Sequence, residues 1–304
     1  MTAPSDLVPS NLAPSDLASA STAAECGAVC AVAGQSQRGM REWAAAYPEL
    51  FAAKPFDPAL YSTLSLAMAF SGPWFTAGQL RMANKTTLWA FGLDWLVDYV
   101  ATSPQEVDDL ARRCLEVAGG APPVPGDDLT RMLADIRDEL AASPAFPVLG
   151  PVWREELRRM LAAMLEEWRW KTAKVRPTFE EYLGNADNLG FSFVFAAHRL
   201  HTAGPDVTAG PDPITEAGRA VQRVIRLLND LGTYERDVTW GDLNALLLGP
   251  TRPEVERHVA ELAARSRELI APLRADHPEV AGYLERQMDF CAGFYRFGDY
   301  WGTL

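Results

Sequence analysis

The chain has little positive charge and no basic run. Lys and Arg number 28 against 40 Asp and Glu, for a net charge of −12 over 304 residues. A surface of that sign is a poor match for nucleic acid or an anionic membrane. Cysteine is scarce: Cys26, Cys30, Cys114 and Cys291 form no C-x-x-C pair. Four thiols in a chain this long are no disulfide scaffold, and no His or Cys cluster beside Cys26 and Cys30 completes a metal site. They read as reduced thiols of a cytoplasmic protein. The first basic residue is Arg38, so the positive n-region of a signal peptide is missing. No apolar run approaches the roughly 18 residues of a membrane span, and Asp94 and Asp98 interrupt the stretch around Trp89. Alternating Val, Ile and Thr are rare, and no repeat of 20–50 residues occurs, which disfavours sheets and solenoids. What the chain does have is rings: 13 Phe, 9 Trp and 8 Tyr.

Residues 1–36 are rich in Ala, Pro and Ser, nearly free of charge, and repeat APSDL at Ala3–Leu7 and Ala13–Leu17. They read as a mobile tail, with a helical turn or two over 25–34. From residue 37 to 304 the texture is helical. Apolar spacing predicts helices over 38–52, 58–70, 76–102, 104–117, 126–142, 151–173, 177–200, 213–239, 253–275 and 277–298, separated by Pro and Gly. The fold class expected is all-α: one helical bundle, with its site between facing helices.

Two acidic segments carry chemistry. Asn229, Thr233 and Asp237 recur every four residues, so they line one side of a helix. An amide oxygen, a hydroxyl and a carboxylate are hard donors that suit Mg²⁺, which keeps waters and shares positions with phosphate. Arg236 is placed to donate to such a phosphate. The bland alternative is a solvated helix face. The second segment sets Asp94 and Asp98 one turn apart among Trp89, Phe91, Trp95, Leu96 and Val97. Buried aspartate is costly unless paired or metal-bound. The alternative there is a cap or an ion pair, with Lys85 a partner.

Together these segments resemble the two metal-binding motifs of class I terpene synthases. Asn229–Asp237 fits N-D-x-x-[S/T]-x-x-[K/R]-[D/E], and the match continues through Gly241 and Asn244. Asp94–Asp98 resembles the aspartate-rich motif in the reduced form D-x-x-x-D. The resemblance covers the helical region as one domain around a central aromatic cavity. It implies three Mg²⁺ ions, with Asp94 and Asp98 on one wall and Asn229, Thr233 and Asp237 on the other, and Arg236 on the diphosphate. Family members close on the diphosphate with an adjacent Arg-Tyr pair; here Arg296 and Tyr300 stand in at a different spacing. The family's diphosphate-sensing Arg falls at Ala186, so the sensor is absent or comes from elsewhere, with Arg176 one source. Gly190 falls at the helix break whose carbonyl faces the nascent cation, with Asp187 beside it; a plain helix cap is the alternative.

A carbocation demands walls without nucleophiles, and ring faces stabilise cations by roughly 0.5–2 kcal/mol each. Candidate walls are Phe75, Trp89, Phe91, Trp95, Phe191, Phe195 and Trp301 with Tyr300. His198 and His201, three apart without a third ligand, read as structural. The implied reaction is Mg²⁺-dependent ionisation and cyclisation of an isoprenyl diphosphate. The reduced D-x-x-x-D motif and the lost sensor look most like bacterial diterpene synthases, which favours geranylgeranyl diphosphate. Farnesyl diphosphate, a preformed bicyclic C20 diphosphate, and a non-catalytic isoprenoid-binding protein stay open. Prenyl-coupling enzymes are disfavoured, because they need a second Asp-rich motif where Asn229 and Thr233 stand. The small-molecule substrate is the partner expected, with no nucleic acid and no stable membrane insertion; a homodimer is compatible with the architecture.

Overall fold

The computed structural model describes residues 23–205, 207 and 212–302. Among them are twelve α-helices and no strand: α1 Ala23–Ala46, α2 Pro58–Ser71, α3 Arg81–Trp95, α4 Pro104–Ala118, α5 Asp128–Ala141, α6 Phe146–Ala173, α7 Phe179–Gly184, α8 Phe191–Thr202, α9 Pro213–Trp240, α10 Arg252–Ile270, α11 Leu273–Asp276 and α12 Pro278–Phe294. The starts follow local chemistry. Asp57 caps α2, accepting from the N–H groups of Ala59 and Leu60, with Pro58 in the first turn. Ser103 and Asp212 do the same for α4 and α9. Thr178–Glu181 and Thr251–Glu254 form capping boxes on α7 and α10. At its far end α9 stops at Gly241, whose φ of 74° is the left-handed conformation that closes helices.

The expected helix over 38–52 ends at Ala46, that over 253–275 divides into α10 and α11, and four other boundaries move. The expected tail ends too late: α1 begins at Ala23 and buries Val29, Ala33, Ser36, Met40 and Trp43, so the limit at 36 falls inside a packed helix. Five apolar or small residues on one face outweigh the low charge used to assign a tail. The two APSDL segments lie outside the described residues. Helix α6 starts at Phe146 because Pro147 fits its first turn, and Pro151 is absorbed within it. The stretch expected at 177–200 is three pieces: α7, a 3₁₀ turn at Ala186–Leu189, and α8. The stretch expected at 76–102 is α3 followed by a π turn at Leu96–Val100, closed by the Ala101 N–H on the Leu96 carbonyl at 2.8 Å. A π turn winds wider than α and is a common device at functional sites.

The helices pack around a central cavity. One apolar cluster joins α1 to α6 and α8, with Trp89, Trp153 and Phe193 fully buried. A second joins α2, α8, α9 and α12 around Phe195 and Tyr283. Between them α3, α6, the broken stretch before α8, α9 and α12 line one shared space. No helix among the described residues is long and apolar enough to cross a membrane.

Candidate active site

The cavity measures about 220 Å³ and has two kinds of lining. Leu64, Met68, Met160, Phe191, Val194 and Ile225 give it apolar walls. Asp94 and Asp98 of the α3 wall, Asn229 and Asp237 of α9, and Arg226, Arg236 and Lys171 line the same space. Thus four of the five expected metal ligands share one cavity. Thr233 does not line it. Its buried hydroxyl has one proton to share between two acceptors, the Asn229 carbonyl at 2.9 Å and Asp237 Oδ2 at 2.7 Å. Asp237 also accepts from Asn244 Nδ2 at 2.9 Å. That amide bonds the Asp230 carbonyl too, so the downstream part of the motif braces its carboxylate against the end of α9.

The electrostatics suit a cation that the protein alone does not supply. Burial pushes the Asp94 carboxyl up to about 7, against the pull of Arg236, with Asp242 and Glu167 pushing the same way as burial. Burial, and then Asp94 itself, raise Asp98 well above the carboxylate range. Asp98 is exposed by surface area and lines the cavity, where Asp94, Asp242 and Glu167 all act to raise it. Two crowded carboxyls of this kind are stabilised by a divalent ion. Among the described residues no three His, Cys, Asp or Glu side chains converge enough to hold a metal by themselves. Each wall offers part of a shell, as expected of Mg²⁺, which completes its octahedron with water and phosphate oxygens. The donor set fits the ion.

The positive side differs from expectation. Arg296 is exposed and lies over the Phe297 ring, away from the cavity. α12 ends at Phe294, and the turn that follows, with the Gly298 N–H on the Phe294 carbonyl, swings Arg296 outward while Tyr300 and Trp301 fold in. Arg176 is exposed and lines nothing. The cations present, with Lys171, are Arg236, paired with Asp299 at 2.9 Å and lying over Trp240, and Arg226, one turn before Asn229. Arg226 is buried; its Nε donates to the Tyr182 hydroxyl at 2.8 Å, which donates to Asp230 at 2.7 Å. It also pairs with Glu167 at 3.3 Å. The E-E-Y-L segment therefore keeps its link to the cavity through Tyr182 although Ala186 replaces the arginine. Arg226, Lys171 and Glu167 were missed by the sequence reading. Arg226 was the one with a signal, since its position three before Asn229 sets it on the same helix face.

The rings sort into two groups. Phe91, Phe191, Tyr300 and Trp301 line the cavity. The other four do not. Trp89 is fully buried behind the wall, its Nε1 donating to the Leu129 carbonyl at 2.9 Å. Phe75 packs on Trp74 and His198. Phe195 backs Phe191 with ring centres 5.9 Å apart, and Trp95 stacks on Tyr99 at 4.4 Å behind Trp301. Asp187 does not line it either; it binds Arg159 and Gln222. Gly190 does, at φ 76°, and a Cβ there would meet Met160 Sδ at 2.9 Å. It is both a helix cap and part of the cavity wall.

Geometry and fold define a class I terpene synthase. Similarity says the same. Residues 85–248 match the family model "Terpene synthase family 2, C-terminal metal binding", more than half of the chain, which therefore belongs to that family. The ent-pimara-9(11),15-diene synthase of Streptomyces sp. (strain KO-3988) is 27% identical over 276 residues, 87% of this chain and 90% of that one. The ent-beyerene synthase KSL2 of Oryza sativa subsp. japonica is 33% identical over 103 residues, 33% of this chain and 12% of that one. The fold is shared with 2-methylisoborneol synthase from Streptomyces coelicolor A3(2), solved with Mg²⁺ and 2-fluoroneryl diphosphate (TM-score 0.70, 16% identity, 90% and 94% coverage). It is also shared with linalool/nerolidol synthase from Streptomyces clavuligerus, solved with 2-fluorogeranyl diphosphate (TM-score 0.66, 18% identity, 87% and 96% coverage).

Proposed function

We propose that this enzyme ionises geranylgeranyl diphosphate with Mg²⁺ and closes the resulting cation into a cyclic diterpene. The carrying observation is the mixed cavity: acidic and cationic groups of both motifs line one space with apolar and aromatic walls. The products named for the Streptomyces and rice relatives are C20 polycyclic hydrocarbons, which supports the chain length. Those names also favour a second reading, a preformed bicyclic C20 diphosphate. Closing a decalin starts by protonating a distant alkene, whereas this cavity is built for losing diphosphate.

In this reading Asp94 and Asp98 hold Mg²⁺ from one wall, and Asn229 and Asp237, ordered by Thr233, from the other. Three ions fit the family pattern. Bound Mg²⁺ supplies charge neutralisation of the departing diphosphate. Arg236, Arg226 and Lys171 donate to its oxygens. Phe91, Phe191, Tyr300 and Trp301 exclude water and turn π faces to the cation. The Cys291 thiol lines the cavity, yet burial pushes its pKa up to about 12, so no thiolate is there to capture a cation.

Incubation with Mg²⁺ and C10, C15, linear C20 and bicyclic C20 diphosphates, followed by mass analysis of a hexane extract, tests the reading. A cyclic hydrocarbon or alcohol from the linear C20 substrate is expected; product only from C15, or only from the bicyclic form, replaces it. Asn229→Ala should cut turnover by about 10²–10³-fold, on the scale of losing a preorganised electrostatic group. Full activity in that variant refutes the metal assignment.

A further inference from the structure

Gln222 lies on α9 seven positions before Asn229, and so on the same face of the helix. It is 1% exposed, and its amide reaches the broken stretch between α7 and α8. Nε2 donates to Asp187 Oδ1 at 2.7 Å, and Oε1 accepts from the Ser192 backbone N–H at 2.8 Å. One amide therefore clasps the turn before Gly190 and the first turn after it. Ser192 N–H is one of the first-turn donors that α8 itself leaves unpaired. Asp187 is held from the other side by Arg159 of α6 at 2.6 Å. Between the two clasped points Asn188, Leu189, Gly190 and Phe191 face the cavity.

We infer that Gln222 is a positioning residue: it fixes the break at Gly190 relative to Asn229 and Asp237, and so fixes the path of the cation relative to where diphosphate departs. This rests on the cavity reading above. Gln222 does not line the cavity, so it acts through the break. The site needs a donor and an acceptor on one neutral group, which glutamine supplies and neither Glu nor Met does. A rigid α9 carries clasp and metal residues together, so a shift of the break is a shift against the leaving group.

The test compares Gln222→Met with Glu156→Gln, using whichever isoprenyl diphosphate the wild-type chain converts. Glu156 is buried and pairs with Arg219, joining α6 to α9 nearby without touching Asp187 or Ser192. Both variants should lose thermal stability. Only Gln222→Met should change the ratio of terpene products, with kcat down about ten- to hundredfold, as an ångström of misplacement does, and KM within about twofold. In its crystal structure Gly190 should leave its φ of 76°. If Gln222→Met fails to fold, Asp187→Ala at a less buried position carries the same expectation. Wild-type products in the variant, or an equal product change in Glu156→Gln, overturn the assignment. Should the wild type prefer C15 or bicyclic substrate, the proposed substrate falls while this test proceeds on that substrate.

Discussion

At the scale of single residues, burial decides what each ionisable group does. His198 is buried between the Phe75 and Tyr283 rings, each 4.9 Å away, and its Nδ1 has no partner. Burial first, then His201, lower its pKa from 6.5 to about 3. It is a neutral core residue and no metal ligand. The unfolded chain protonates this imidazole below 6.5, while the folded one does not until about 3. Stability therefore falls as pH drops through that window, by up to about 1.4 kcal/mol per pH unit. His198→Phe, neutral at every pH, should flatten the decline of Tm between pH 6.5 and 4. An unchanged slope would assign the acid sensitivity to other groups. The same rule explains what was legible. Asp94 and Asp98 stood out because two carboxylates on an apolar helix demand a partner. Trp89, Phe75, Phe195 and Trp95 were misassigned because ring composition does not tell which side of a helix wall a ring faces.

At the scale of elements, breaks mattered more than helices. Most helix cores were readable from periodicity and Pro or Gly punctuation; the π turn at Leu96–Val100 and the 3₁₀ turn at Ala186–Leu189 were not, since neither has a composition of its own. The closing segment after α12 shows the same limit. The family resemblance suggested Arg296 and Tyr300 as a pair, but the turn after Phe294 separates them, and the residue that meets the motif is Asp299. It pairs with Arg236 and accepts from the Gly302 N–H at 2.8 Å. A close approach fixes this segment against α9, where a Cβ on Gly232 would stand 2.7 Å from the Tyr295 carbonyl oxygen. Arg236 must exchange Asp299 for phosphate if it is to hold the diphosphate. Removing that competitor should help by about 1 kcal/mol, roughly fivefold in affinity. Asp299→Asn is expected to tighten inorganic diphosphate binding by that factor in calorimetry. Weaker binding would mean that Asp299 orders the segment for the ligand rather than competing with it.

At the scale of the molecule, the cavity shares the acidic excess of the whole chain. The net charge is −12, and Arg226, Arg236 and Lys171 line the cavity against Asp94, Asp98, Glu167, Asp237 and Asp242, so an anion there needs a cation besides these three. These groups come from the α3 wall, α6, α9 and the residue after its Gly241 cap. Without a cation these acids are costly to ionise: burial first, then Asp242 and Glu167, raise Asp94, and burial followed by Asp94 raises Asp98. Neither wall has a full coordination shell, so Mg²⁺ alone has little to bind and diphosphate alone meets the carboxylates. Together they complete each other's coordination and join the walls. Binding only to the folded state at 100 times Kd adds about 2.7 kcal/mol, and for a chain of this size each kcal/mol raises Tm by roughly 1.5–2 °C. Mg²⁺ with inorganic diphosphate should therefore raise Tm by about 4–5 °C, and either alone by much less. Asp94→Asn with Asn229→Ala should abolish the synergy while leaving a folded protein. Equal shifts from Mg²⁺ alone would mean that one wall holds the ion without phosphate, and that the two motifs do not share a ligand.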